Sequence, residues 1–126
     1  MKPITPAIHT VVDVLFCVAM ALAPTLLRFG GTPATLCYAV AGGYFAFSMV
    51  TNTPTAPIRI VPFKVHGGVE IVAGLGLLAA PWLFGFAGIA NAKGWFIATG
   101  VVTFVVFALT QWREEPKPAK VSHPAA

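Results

Sequence analysis

Four residues of this chain recur in register. His9, Asp13, Pro24 and Phe29 return 57 positions later as His66, Glu70, Pro81 and Phe86. Each set reads as a His, a carboxylate four residues on, a Pro eleven after that and a Phe five further. A duplicated unit folds each copy alike, so the secondary-structure elements should come in equivalent pairs.

The sequence around the repeat is apolar. Hydrophobic residues make up 57% of the 126 and charged residues only 10%, with a mean hydropathy of +0.82. A soluble domain carries about 25% charge, so this chain cannot cover a water-facing surface and needs a bilayer as solvent. Four apolar stretches are expected to be helices: Ile8 to Leu27, Pro33 to Val50, Val65 to Phe84 and Lys93 to Trp112. Each approaches the ~20 residues that cross the hydrocarbon layer. They are continuous rather than alternating, and strands would leave backbone groups unpaired in lipid. The predicted fold is an all-α membrane protein of four transmembrane helices in two parallel-duplicated hairpins.

The domain reading follows. Residues 1–50 form the first hairpin, 51–64 a cytoplasmic Pro-rich link, 65–112 the second hairpin and 113–126 a disordered cytoplasmic tail. Pro54, Pro57 and Pro62 forbid a helix through the link. The tail is polar and Pro-rich. Four crossings put Lys2, Arg59, Lys64, Arg113, Lys117 and Lys120 on one side and only Arg28 and Lys93 on the other. The positive-inside rule then places both termini in the cytoplasm. Trp95 and Trp112 are 17 residues apart, so on one helix they would stand roughly 25 Å apart, as two interfacial belts do. A cleavable signal peptide is the rival for the first stretch, with Ala21-Leu22-Ala23 as its cleavage site. Pro24 after the cut, Asp13 in the apolar core and the broken repeat argue against it.

The run Gly68-Val69-Glu70-Ile71-Val72-Ala73-Gly74-Leu75-Gly76-Leu77-Leu78, followed by Ala79-Ala80-Pro81-Trp82-Leu83-Phe84-Gly85-Phe86, resembles the SPW repeat family of small bacterial membrane proteins. The likeness covers about residues 66 to 110. Ala80 stands where the family has Ser, and the first copy keeps Pro24 but has Thr25 in place of Trp. The resemblance implies a helical-hairpin membrane fold and no reaction. Independently of it, Pro81 near a helix end helps stop the helix, Trp82 suits the headgroup layer, and Gly85 and Gly88 allow a tight return.

Asp13 and Glu70 are the only acidic residues within the apolar stretches. Each shares a helix face with the His four residues before it. A duplication in the same sense puts the pseudo-twofold axis along the membrane normal. If the first and third helices meet there, His9, Asp13, His66 and Glu70 converge. Intramembrane ionisable residues are costly and mark functional sites by default. Four uses suit these residue types: a transition-metal site, a haem iron ligated from both sides by the two His, a proton relay, or polar pairing without a ligand. Arg59 and Lys64 are candidate counter-ions.

Other signals are structural. Gly76 with Ala80, Ala19 with Ala23, and Gly94 with Ala98 have the small-xxx-small spacing that lets helices approach. Cys17 and Cys37 lack a redox spacing and read as buried thiols. The link, with Ile58, Ile60, Val61 and Phe63, is expected on the cytoplasmic leaflet. No basic patch is interleaved with aromatics, so nucleic acid is no partner. The partners expected are lipid, further copies of the chain or a larger membrane complex. No nucleophile–base set is visible and no cofactor is called for. The function expected is a non-enzymatic scaffold or accessory subunit. The alternatives are an oligomeric proton, ion or small-solute transport protein working through the His/carboxylate cluster, and a metal or haem carrier.

Overall fold

The computed structural model describes residues 2–114 and 116. Four helices make up the fold: α1 (Pro6–Leu26), α2 (Gly31–Met49), α3 (Phe63–Leu83) and α4 (Ala90–Leu109). Among the described residues there is no strand, only two isolated backbone bridges, Ile4 with Thr110 and Thr51 with Val61. α1, α3 and α4 are long and apolar enough to cross a membrane. α2 has 19 residues and no charge, but its Thr, Tyr, Ser and Gly residues keep it below that threshold.

The repeated residues explain how the helices begin and end. His9 and Asp13 are the fourth and eighth residues of α1, and His66 and Glu70 hold the same places in α3. At the far end, Phe29 N–H bonds the Pro24 carbonyl at 3.0 Å and Phe86 N–H bonds that of Pro81 at 2.8 Å. This is the six-to-one bond of a Schellman cap. The Pro-x4-Phe spacing is therefore the cap itself, with the Phe buried behind it. Such a cap needs one left-handed residue. Gly85 supplies it in the second copy, at φ 74°. Arg28 takes that conformation in the first, at φ 59°, against its steric preference.

Helix starts fall two to three residues earlier than the apolar runs suggest. Pro6 opens α1, where its missing N–H costs nothing, and Thr5 caps it by accepting from Ile8 N–H at 3.2 Å. Phe63 and Lys64, expected in the link, open α3.

α1 packs along α2, and α3 along α4. The bridges then join the hairpins crosswise. Ile4 N–H bonds the Leu109 carbonyl and Gln111 N–H bonds that of Ile4; in the other copy Val61 N–H bonds the Val50 carbonyl and Asn52 N–H bonds that of Val61. So the starts of α1 and α3 and the ends of α2 and α4 share one end of the bundle. At the opposite end Met20, Cys37, Leu77, Phe86 and Phe96 form an apolar core across both hairpins.

Several expectations change. α4 ends at Leu109, so Trp112 lies beyond it and the two-belt geometry does not form. Trp95 is half-buried, and its indole N–H donates to Met20 Sδ at 3.2 Å. Trp82 is exposed, with Lys93 Nζ 5.3 Å from its ring centre. The close helix approaches are not at Gly76 or Gly94, which have open space beside them. They are at Gly100, where a Cβ would lie 2.7 Å from Leu78, and Gly74, where it would lie 3.1 Å from Phe104. In the link, Ile58 and Ile60 are exposed, but Thr51, Asn52, Thr53 and Phe63 are buried. Cys17 and Cys37 are both free and buried. The expected disordered tail begins in ordered chain: the Glu114 carboxylate accepts from the Phe63 and Lys64 N–H groups, each at 3.0 Å, and so caps α3. Beyond Glu114 and Pro116, that expectation lies outside the described residues.

Candidate functional site

The parallel course of α1 and α3 brings His9, Asp13, His66 and Glu70 together at the end of the bundle that holds both helix starts. All four are buried, none more than 4% exposed. His9 Nε2 lies 3.3 Å from Asp13 Oδ1 and 3.2 Å from Glu70 Oε2. His66 Nε2 lies 3.2 Å from Asp13 Oδ2. Arg59 and Lys64, expected as counter-ions, do not take that part; the close partners of the carboxylates are the imidazoles.

Backbone chemistry fixes both rings. Thr110 Oγ1 donates to the Val106 carbonyl at 2.6 Å, so its remaining capacity toward His9 is to accept, and His9 Nδ1–H donates to it at 2.8 Å. Thr51 Oγ1 donates to the Phe47 carbonyl at 2.7 Å and accepts from His66 Nδ1–H at 2.9 Å. A hydroxyl that spends its proton on its own helix imposes the tautomer of the ring it faces. Both Nε2 atoms are thereby turned toward the carboxylates. Stacking holds the rings in place: His66 lies flat on Phe47 at 4.9 Å and 11°, and His9 packs edgewise against Phe63 and Trp112.

The two sides of the cluster are satisfied differently. Ser48 Oγ donates to Asp13 Oδ2 at 3.0 Å, and the Tyr44 hydroxyl lies 3.0 Å from His66 Nε2. His9 Nε2 and Glu70 Oε2 are buried with no hydrogen-bond partner, although they face each other. At 3.2 Å they stand within ion-pair distance without making a hydrogen bond. Such orphans are rare in native structures and require a reason.

A metal ion suits this donor set. His9, His66 and Glu70 each offer an atom within 4.8 Å of the others. Bonds of about 2.0–2.1 Å put tetrahedral ligand atoms about 3.3 Å apart, and His9 Nε2 and Glu70 Oε2 stand 3.2 Å apart. Metal-bound His residues donate their other ring N–H to a fixed acceptor, as Thr51 and Thr110 provide. A haem between the two His does not fit: the rings sit edge to face with centres 5.5 Å apart, and Asp13 reaches both Nε2 atoms.

The sequence brought forward all four converging residues but missed those that aim them. Thr51 and Thr110 repeat at an offset of 59, not 57, because the turn between α3 and α4 is two residues longer than the one between α1 and α2. A search that allowed the offset to slip would pair them. Tyr44 and Ser48 carry no such signal, since Thr103 and Phe107 occupy the equivalent places. Trp112, expected at the headgroups, instead roofs the cluster: its ring lies 5.1 Å from His9 and 4.6 Å from Phe63, over Gly67, where a Cβ would meet it at 2.9 Å. Pro24 and Pro81 stay at the helix ends as expected.

Comparison of the chain with family models, with curated proteins and with solved structures found no match.

Proposed function

We propose that this is a non-enzymatic accessory protein of the bacterial inner membrane that holds one divalent transition-metal ion between its two hairpins, on His9, His66 and Glu70, with Asp13 beside them. The observation that carries the reading is the pair of imidazoles whose Nδ1–H groups are tied to Thr110 and Thr51, leaving both Nε2 atoms turned toward two carboxylates. Two carboxylates in an apolar bundle need two positive charges. One divalent ion supplies both and gives the orphaned Nε2 and Oε2 their partner. Imidazole and carboxylate together suit Zn, Fe or Ni.

The membrane placement has its own support. α2 is close to α1 in length and pairs with it, so it crosses as the fourth span, with Tyr44 and Ser48 turned to the cluster. Six of the eight basic residues then fall on the side of the termini, which supports a cytoplasmic N- and C-terminus. The pairing of α1 with α2 and of α3 with α4 supports the hairpin unit.

Equilibrium dialysis of the detergent-solubilised protein against Zn²⁺, with Mg²⁺ as control, tests the reading. One Zn²⁺ per chain is expected, abolished by Glu70→Gln. Thr110→Val, which leaves every ligand in place, should weaken binding about 10–100-fold. If the wild-type chain takes up no Zn²⁺, or Glu70→Gln binds it equally well, the cluster is only polar pairing and the proposal fails.

A further inference from the structure

The hairpins touch at the polar cluster and again at the apolar core, and part between. The gap is a cavity of about 550 Å³ lined by all four helices, within the ~300–1,000 Å³ range of ligand sites. Its two carboxylates, Asp13 and Glu70, lie at one end with Tyr44, while the Thr99 and Thr103 hydroxyls on its wall are spent on carbonyls of α4. Among the described residues, no Lys or Arg lines it. Leu15 and Val102, exposed on the outer surface, stand on its rim, so it opens sideways toward lipid. The two imidazoles are not among its walls. They approach the cluster from the other side.

An ion on His9, His66 and Glu70 would therefore sit at the boundary, with protein ligands behind it and the cavity in front. Closed coordination marks a structural metal, while an open position marks one that takes a further ligand. The buried Glu70 Oε2, without a hydrogen-bond partner, belongs to a side chain on the cavity wall. We propose that the cavity seats a membrane-dissolved amphipathic molecule, its apolar chain along the gap and its neutral oxygen head group, a hydroxyl or carbonyl, on the open face of that ion. This rests on the metal reading above.

Charge selects the head. A divalent ion with Asp13 and Glu70 is neutral overall, and an anionic head would leave a net charge in the apolar interior. Tyr44 is placed to orient the head: it lines the cavity, and its hydroxyl is 3.0 Å from His66 Nε2. When that nitrogen binds the ion, the Tyr44 proton is released for the head-group oxygen. The apolar walls, Phe16, Ala73, Leu77 and Phe96 among them, take the chain.

Trp95 is also on the wall and serves as the reporter. Wild-type protein in nanodiscs, loaded with Zn²⁺, is titrated with an ω-bromo fatty alcohol and with the bromoalkane of equal length. Bromine quenches indole fluorescence on contact. The alcohol should quench Trp95 saturably and bind about tenfold tighter than the alkane, the effect of one good polar contact. The difference should vanish without Zn²⁺ and shrink in Tyr44→Phe. Trp95→Phe should remove the saturable part of the quenching and leave that of Trp82 and Trp112. Gly76 lines the cavity with open space beside it, so Gly76→Leu should block quenching yet keep Zn²⁺ binding.

Zn²⁺ uptake is measured on the same samples. If Zn²⁺ binds but alcohol and alkane quench alike, the cavity is only an acyl-chain slot and this inference falls while the metal reading stands. If Zn²⁺ does not bind, both fall.

Discussion

The two hairpins share one residue pattern and one fold, and their differences lie at the cluster. In the first, α2 brings Tyr44 to His66 and Ser48 to Asp13. In the second, α4 has Thr103 and Phe107 at the matching places. Thr103 spends its hydroxyl on the Thr99 carbonyl at 2.8 Å, and Phe107 offers none. Asp13 is thus supplied with a donor, while Glu70 Oε2 and His9 Nε2 are left with none. The repeat keeps the four polar residues, while the differing second helices give Asp13 a donor and leave Glu70 Oε2 without one.

The largest test of this contrast is to remove each carboxylate. In metal-free protein Asp13→Ala strips both imidazoles of their shared partner and should cost about 3–5 kcal/mol, the usual penalty for breaking a buried pair. Glu70→Ala should cost clearly less, because its Oε2 satisfies no hydrogen bond. Thermal unfolding in detergent reads both, and equal losses would erase the distinction. Zn²⁺ affinity should rank the other way, with Glu70→Ala the more damaging.

The hairpins also differ in how closely they pack. Gly74 and Gly100 stand where the first copy has Cys17 and Ala41. Gly100→Ala puts a methyl 2.7 Å from Leu78 Cγ and should destabilise by about 2 kcal/mol. Replacing Ala41, which already carries its Cβ, with Gly should cost about 1 kcal/mol by helix propensity. The turns differ too. Arg28 adopts the left-handed conformation that Gly85 adopts in the other copy. Arg28→Gly should raise stability by about 1 kcal/mol, and Gly85→Ala should lower it by a like amount.

The smallest effect concerns the helix starts. α1 has its own cap in Thr5, while α3 borrows Glu114. Desolvation alone would push the Glu114 carboxyl up, but the Lys64 and Phe63 N–H groups, the Asn52 amide and the Lys64 charge outweigh it and hold it below the usual carboxylate range. A carboxyl depressed by folding stabilises the protein above its unfolded-state value and loses that contribution as pH falls through the folded one. At this exposed site the cap should be worth about 0.5–1 kcal/mol. Glu114→Gln should remove it at neutral pH and flatten that part of the stability profile on acidification, seen by comparing melting curves of the two proteins.

The sequence carried the parts of this account that repeat. The His, the carboxylate, the Pro and the Phe keep one offset because each first helix is a single rigid element from its start to its Schellman cap. Thr51 and Thr110 escaped because the unequal turns shift the second helices by two residues. Trp112 was misplaced because an apolar run does not mark where a helix stops. α4 ends at Leu109, and the chain then turns inward over His9 because Ile4 pairs with Leu109 and Gln111, a contact between residues more than a hundred positions apart. Tyr44 and Ser48 belong to the unrepeated half of the site, where only coordinates could place them. The close approach at Gly100 depended likewise on which of several glycines faces a neighbour.

The central claim is that His9, His66 and Glu70 act together as a ligand set. Replacing Zn²⁺ with Co²⁺ and recording the visible absorption tests it most directly, because a d⁷ ion reports its own geometry. The account predicts the intense bands of a tetrahedral nitrogen–oxygen site at one Co²⁺ per chain, lost in Glu70→Gln and shifted when an oxygen-headed lipid enters the cavity. A spectrum identical to that of Co²⁺ in buffer would contradict it.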